Sequence, residues 1–155
     1  MARIGVGDKA PDFDLEGTEG RRYGLADCHG HWLVLAFYPG DFTPVCTRQF
    51  CSYRDAADRL DDLDAKVWGI SPQSVESHER FRRKYGLTVP LLSDPDRAVI
   101  RAYGVLGPGG LVRRSIFMVD PGGRVRYRHA ALLGLHYRDV GELRSALQGV
   151  RSAPA

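Results

Sequence analysis

Trp32-Leu33-Val34-Leu35-Ala36-Phe37-Tyr38-Pro39-Gly40-Asp41-Phe42-Thr43-Pro44-Val45-Cys46-Thr47-Arg48-Gln49-Phe50-Cys51 joins two kinds of order. Its first seven residues are an unbroken apolar run. A run that short and that apolar suits a strand buried on both faces. Thr43 followed by Pro44 then opens a helix, with an N-cap residue ahead of proline at the first helical position. Phe50, Tyr53, Ala57 and Leu60 continue at helical spacing, so the helix is expected from Pro44 to Leu63. A buried strand feeding directly into a helix is the unit of an α/β sheet. The junction at the strand's C-terminal end is where such sheets place their sites.

Outward from this junction the alternation continues. Val67 to Ile70 reads as a second apolar strand and Ser74 to Tyr85 as a helix, with Val75, His78, Phe81 and Tyr85 on one stripe. Val89 to Leu92 is a third strand and Asp96 to Tyr103 a short helix. Ser115 to Val119 is a fourth strand. The turn Asp120-Pro121-Gly122-Gly123 leads into Arg124 to His129, where Val125 and Tyr127 alternate with arginines as on an edge strand. Arg138 to Val150 closes the chain as a helix, and residues 149–155 are expected to fray. Residues 1–31 read as short strands and turns. Strand–helix alternation implies parallel pairing, and the late hairpin an antiparallel half. The expectation is one α/β domain over residues 1–155, with a thioredoxin-like mixed central sheet flanked by helices on both faces.

Composition narrows the function classes. A chain of 155 residues with 43% hydrophobic and 26% charged residues is ordinary for a globular domain and argues against disorder. The formal net charge of +3 is small for a dedicated nucleic-acid binder. No run reaches the roughly 18–20 apolar residues of a membrane helix, and no signal peptide is visible. The expected compartment is the cytoplasm, where thiols stay reduced. Three cysteines are too few for a disulfide scaffold.

Cys46 is the third helical residue after the Thr43 cap. A capping box places a carboxylate there, and a thiolate gains from the same free N–H groups and positive helix end. The position therefore favours the thiolate form of Cys46. Cys51 follows five residues later. On an ideal helix the two Cα atoms lie about 8.6 Å apart, beyond the roughly 4.4–6.8 Å a disulfide spans. Either Cys51 is a buried spectator, or the first helical turns unwind for the two to meet. Cys28, in Asp27-Cys28-His29-Gly30-His31, lacks a second Cys/His cluster at zinc spacing and reads as a turn with an unpaired thiol. His78, His129 and His136 read as helix, edge-strand and loop residues. Gly104, Gly107, Gly109 and Gly110 read as a loop and not as a dinucleotide cradle.

Pro39-x-x-x-Thr43-x-x-Cys46 resembles the active-site pattern of the peroxiredoxins. The Cys46–Cys51 spacing is similar to the bacterioferritin-comigratory, or Q-type, branch. Gly7-Asp8-x-Ala10-Pro11-Asp12-Phe13, Gly69-Ile70-Ser71, Leu91-Leu92-Ser93-Asp94 and Arg114-Ser115-x-Phe117-x-Val119-Asp120 resemble further family segments, so the likeness covers residues 5–148. It implies a thiol-dependent peroxidase reducing hydrogen peroxide and organic hydroperoxides. Cys46 would be the peroxidatic thiolate, oxidised to a sulfenic acid. Thr43 would hydrogen-bond thiolate and peroxide, Arg114 would donate to the same atoms, and Pro39 would cover the sulfur. Arg114, and not its neighbour Arg113, matches the family's arginine.

The resemblance also implies that Cys51 resolves the sulfenic acid as an intramolecular disulfide, recycled by a thioredoxin-like protein. A one-Cys peroxidase with a passive Cys51 and a thioredoxin-like redox sensor are the alternative readings. Neither cofactor nor metal is implied, and no nucleic-acid or membrane partner. The chain is expected as a monomer or weak homodimer. Two departures stand out: Gln49 replaces the glutamate of many peroxiredoxins, and Gly104 to Val112 looks short for a Q-type member.

Overall fold

The computed structural model describes residues 4–131 and 137–152, so His136 and the last three residues of the expected tail lie outside it. Seven strands and five helices follow in the order β1 (Asp14–Glu16), β2 (Arg22–Gly24), β3 (Trp32–Phe37), α1 (Pro44–Asp55), α2 (Ala57–Asp61), β4 (Ala65–Ser71), α3 (Val75–Tyr85), β5 (Leu91–Ser93), α4 (Ala98–Ala102), β6 (Ser115–Val119), β7 (Val125–Ala130) and α5 (Val140–Ser152). β1 and β2 form a small antiparallel ribbon. The main sheet runs β5-β4-β3-β6-β7. β4 lies parallel to β3 and β5, whereas β6 is antiparallel to β3 and β7. This is the expected mixed sheet, with β7 at its edge.

The apolar run became the central strand because both of its faces are covered. Leu33, Leu35 and Phe37 point into one core, and Val34, Ala36 and Tyr38 into the other. All six are fully buried. The period-two alternation of a strand thus serves two cores at once. One core is built with Phe50 and Tyr53 of α1, Leu60 of α2, Phe81 of α3 and Val140, Leu143 and Leu147 of α5. The opposite core takes Ile100 of α4, Tyr103 after it, and Ala10, Phe13 and Tyr23 of the N-terminal segment. β6 repeats the division, with Ile116 and Met118 on one side and Phe117 and Val119 on the other. β4 carries Gly69 where a Cβ would come within 2.8 Å of Phe50 Cζ, so the absent side chain lets α1 lie close on the sheet.

Three sequence expectations shift. The helix expected from Pro44 to Leu63 breaks at Ala56, whose φ of −107° and ψ of 28° leave the helical region. A new short ladder begins there with Leu60 N–H bonding the Ala56 carbonyl at 2.9 Å, and it turns Leu60 and Leu63 into the core that Phe50 and Tyr53 occupy. The closing helix, expected from Arg138 to Val150, runs from Val140 to Ser152. Arg126 and Arg151 hold this end: both guanidinium groups lie over the Trp32 ring, and Arg126 also donates to the Val150 carbonyl. The short helix expected from Asp96 spans only Ala98–Ala102, because Arg97 ahead of it is left-handed at φ 60°.

Candidate active site

The site assembles where β3 ends. Tyr38 follows the strand, Pro39 to Phe42 form the turn, and Thr43 and Pro44 start α1 as the sequence predicts. The turn is tight. Gly40 is buried, and a Cβ there would meet Gln73 Nε2 at 3.0 Å. Phe42 takes a positive φ of 67°, a costly conformation for a residue with a side chain.

Thr43 departs from the cap geometry expected of it. Its backbone is extended as an N-cap requires, but its side chain makes no cap bond. The hydroxyl instead donates to the Gly40 carbonyl at 2.9 Å, closing the turn on itself. The helical ladder begins with Thr47 N–H to the Thr43 carbonyl at 2.8 Å. The amides of Val45 and Cys46 precede that ladder and face the helix's N-terminal end.

Cys46 is fully buried. Arg114 Nη2 donates to its Sγ at 3.1 Å. The other arm of the same guanidinium donates to Gln49 Oε1 at 2.6 Å. Gln49 Nε2 in turn donates to the Tyr53 hydroxyl at 3.1 Å, and that hydroxyl donates to the Arg138 carbonyl at 2.7 Å. Burial pushes the Tyr53 phenol well above its usual range, which keeps it a neutral relay. The register explains how Arg114 arrives. Phe37 pairs with Ser115, so the residue before Ser115 stands beside the end of β3, where α1 begins. Arg113 is exposed, while Arg114 keeps only 4% of its surface. The chain Cys46–Arg114–Gln49–Tyr53 thus fixes the guanidinium from both sides with a fork that lysine could not supply.

The remaining candidates are placed as follows. Pro39 is half-buried, and its carbonyl accepts a long 3.4 Å bond from Gln73 Nε2. Cys51 is half-buried on the same unbroken helix as Cys46, packed against the α1-side core, and all three cysteines are free. Cys28 ends a 3-10 turn and is buried in the opposite core. Burial pushes its thiol up to about 11, against a partial opposing effect of Lys66. Among the described residues, no group of three or more His, Cys, Asp or Glu side chains is arranged to hold a metal ion.

Sequence reading missed the role of Gln49, noted only as a departure. Its signal was spacing: Cys46, Gln49, Phe50 and Tyr53 share one helix face, and all four are buried. It also treated His78 as part of an apolar stripe. The ring is fully buried, but both of its nitrogens have polar partners.

Comparison with known proteins accords with this geometry. The AhpC/TSA family matches residues 6–128. Peroxiredoxin Bcp of Bacillus subtilis is 38% identical over 129 residues, covering 79% of this chain and 82% of the relative. Among solved structures, peroxidoxin BcpB of Mycobacterium tuberculosis superimposes with a TM-score of 0.82 at 28% identity, covering 99% of this chain and all of the other. Peroxiredoxin Q of Xanthomonas campestris gives a TM-score of 0.80 at 31% identity, covering 94% and 96%. The chain belongs to the AhpC/TSA family and, with Bcp and Q-type proteins as its relatives, has the peroxiredoxin form of the thioredoxin-like fold. It is a thiol-dependent peroxidase, and its family acts on hydroperoxides with thioredoxin-like reductants. No helix among the described residues is long and apolar enough to cross a membrane.

Proposed function

We propose that Cys46 is the peroxidatic thiol and Cys51 the resolving thiol of a single-domain, atypical two-Cys peroxidase. The Cys46 thiolate attacks the terminal oxygen of a hydroperoxide. The O–O bond breaks, the leaving oxygen takes a proton, and Cys46 becomes a sulfenic acid. Arg114 donates to the sulfur before the step and stabilises negative charge developing on the peroxide oxygens during it. Pro39 and Thr43 shape the turn against which the peroxide docks. The Cys51 thiolate then attacks the sulfenic sulfur, the S–O bond breaks, hydroxide leaves and takes a solvent proton to become water, and a disulfide forms. A thioredoxin-like dithiol reduces it through a mixed disulfide. The observation that carries this reading is the 3.1 Å contact of Arg114 Nη2 with a fully buried Cys46 Sγ.

Both cysteines sit on intact α1, so resolution requires the first turns of that helix to unwind. The chain works in this reading as a cytoplasmic monomer or weak homodimer. Mass spectrometry of the peptide containing both cysteines, before and after one equivalent of peroxide, tests it. A Cys46–Cys51 linkage is expected, with Cys46→Ser inactive and Cys51→Ser limited to one turnover. Full activity in Cys46→Ser would sink the assignment. A Cys46 sulfenic acid with no linkage would leave a one-Cys enzyme.

A further inference from the structure

The turn over Cys46 is fastened to the rest of the molecule at Asp41. The Asp41 carboxylate is almost wholly buried at 1% side-chain exposure and accepts from three side chains on two elements. Tyr38 Oη donates to Oδ1 at 2.8 Å, and Ser77 Oγ donates to Oδ2 at 2.8 Å. His78 Nδ1 lies 2.7 Å from the same Oδ2. Its other nitrogen, Nε2, lies 3.0 Å from the Leu92 carbonyl on β5.

A carbonyl can only accept, so Nε2 carries a proton. A 2.7 Å contact between Nδ1 and a carboxylate oxygen also requires a proton between them. Two hydroxyl groups already donate to that carboxylate, which leaves the ring as the donor in this contact. The His78 ring is fully buried. Tyr38, from the end of β3, is a further titratable group at the pair: its hydroxyl lies 3.3 Å from His78 Nδ1, and the charge of Cys46 on α1 acts on it. Burial and the Asp41 charge hold the Tyr38 phenol well above its usual range, so it stays a donor.

The pair is joined to the turn by main chain as well. Asp41 N–H donates to Gln73 Oε1 at 3.0 Å, while Ser71 Oγ donates to the same oxygen at 2.7 Å. Every one of these partners lies outside α1. They hold the turn to β4, α3 and β5, whatever state α1 is in.

We propose that His78 is a positioning residue for peroxide reduction: as an imidazolium ion-paired to Asp41, it anchors the Pro39–Thr43 turn in register with Cys46. Its effect on rate rests on Cys46 being the reacting thiol; its protonation state does not. Misplacing the turn by about an ångström moves Thr43 and the amides of Val45 and Cys46 off the reacting atoms, a displacement that costs up to about 100-fold in rate.

Two measurements on the full chain test this and fail separately. Nitrogen-15 NMR of the histidine-labelled wild type at neutral pH reads the ring directly. Both His78 nitrogens are expected to be protonated, and a pyridine-type nitrogen at His78 would overturn the anchor. Rapid-quench dimedone trapping then measures how fast hydrogen peroxide oxidises Cys46. His78→Leu is expected to slow this at least about tenfold, while His78→Gln, which keeps an N–H donor for Asp41, stays within about threefold of wild type. Equal loss in both variants, or no loss in His78→Leu, overturns the positioning role. Should His78→Leu not fold, the ring spectrum and the His78→Gln rate still decide it. A wild type that forms no sulfenic acid at Cys46 would refute the proposed function, and the ring spectrum would still decide the anchor.

Discussion

At the scale of single residues, the chemistry turns on how one guanidinium is held. Arg114 spans Cys46 Sγ and Gln49 Oε1 with its two terminal nitrogens. Lysine offers a point charge that cannot span both, so Arg114→Lys is expected to slow Cys46 oxidation by about 100-fold. Stopped-flow peroxide consumption measures it. Cys28 gives a second prediction, for stability. Folding raises its thiol to about 11, so between the free-thiol value and 11 the unfolded chain loses this proton first. The contribution is therefore full below the free-thiol range and fades as pH climbs from there to about 11, by an amount on the order of 2 kcal/mol. Urea midpoints near neutral pH and at strongly alkaline pH should separate by less in Cys28→Ala than in wild type. Cys46 could be found in the sequence because proline and threonine mark a helix start. The Gln49–Tyr53 relay was legible only as a shared helix face, because a glutamine on such a face looks the same whether it meets water or a buried arginine.

At the scale of elements, α1 is the part that must both hold and yield. It is fastened at its far end by Tyr53 to the Arg138 carbonyl and by Arg54 to the Tyr85 carbonyl. Its middle rests on Gly69 through Phe50. Gly69→Ala pushes a methyl into the Phe50 ring and is expected to destabilise the protein by about 1–3 kcal/mol, seen as a lower urea midpoint. Hydrogen exchange tests the unwinding itself. In the Cys46–Cys51 disulfide form, amides from Thr47 to Cys51 should lose protection while those of β3 keep it. Protection retained along α1 in the oxidised form would exclude helix unwinding. Strand and helix order could be read from periodicity, since both cores take alternate residues from β3 and β6. The break at Ala56 could not, because Asp55-Ala56-Ala57 carries no local stop signal. That turn is imposed by the packing of Leu60 and Leu63.

At the scale of the molecule, the central sheet has two unlike margins. β5 is covered: Gly17 bridges to Leu92, and Leu91 N–H donates to Thr18 Oγ1. β7 is the other margin, and the alternation in its sequence places Arg126 and Arg128 either side of Tyr127. Its near end is already paired: Val125 N–H donates to the Asp8 carbonyl at 2.9 Å, and Gly7 N–H donates to the Val125 carbonyl at 2.8 Å. Arg126 is turned back onto its own chain, beside Asp120 and on the Val150 carbonyl. One N-terminal stretch thus buckles the sheet at both margins, with Gly17 and Thr18 on β5 and Gly7 to Lys9 beside β7, and leaves less open edge for another molecule's strand; deleting residues 1–9 should raise edge-to-edge association in sedimentation.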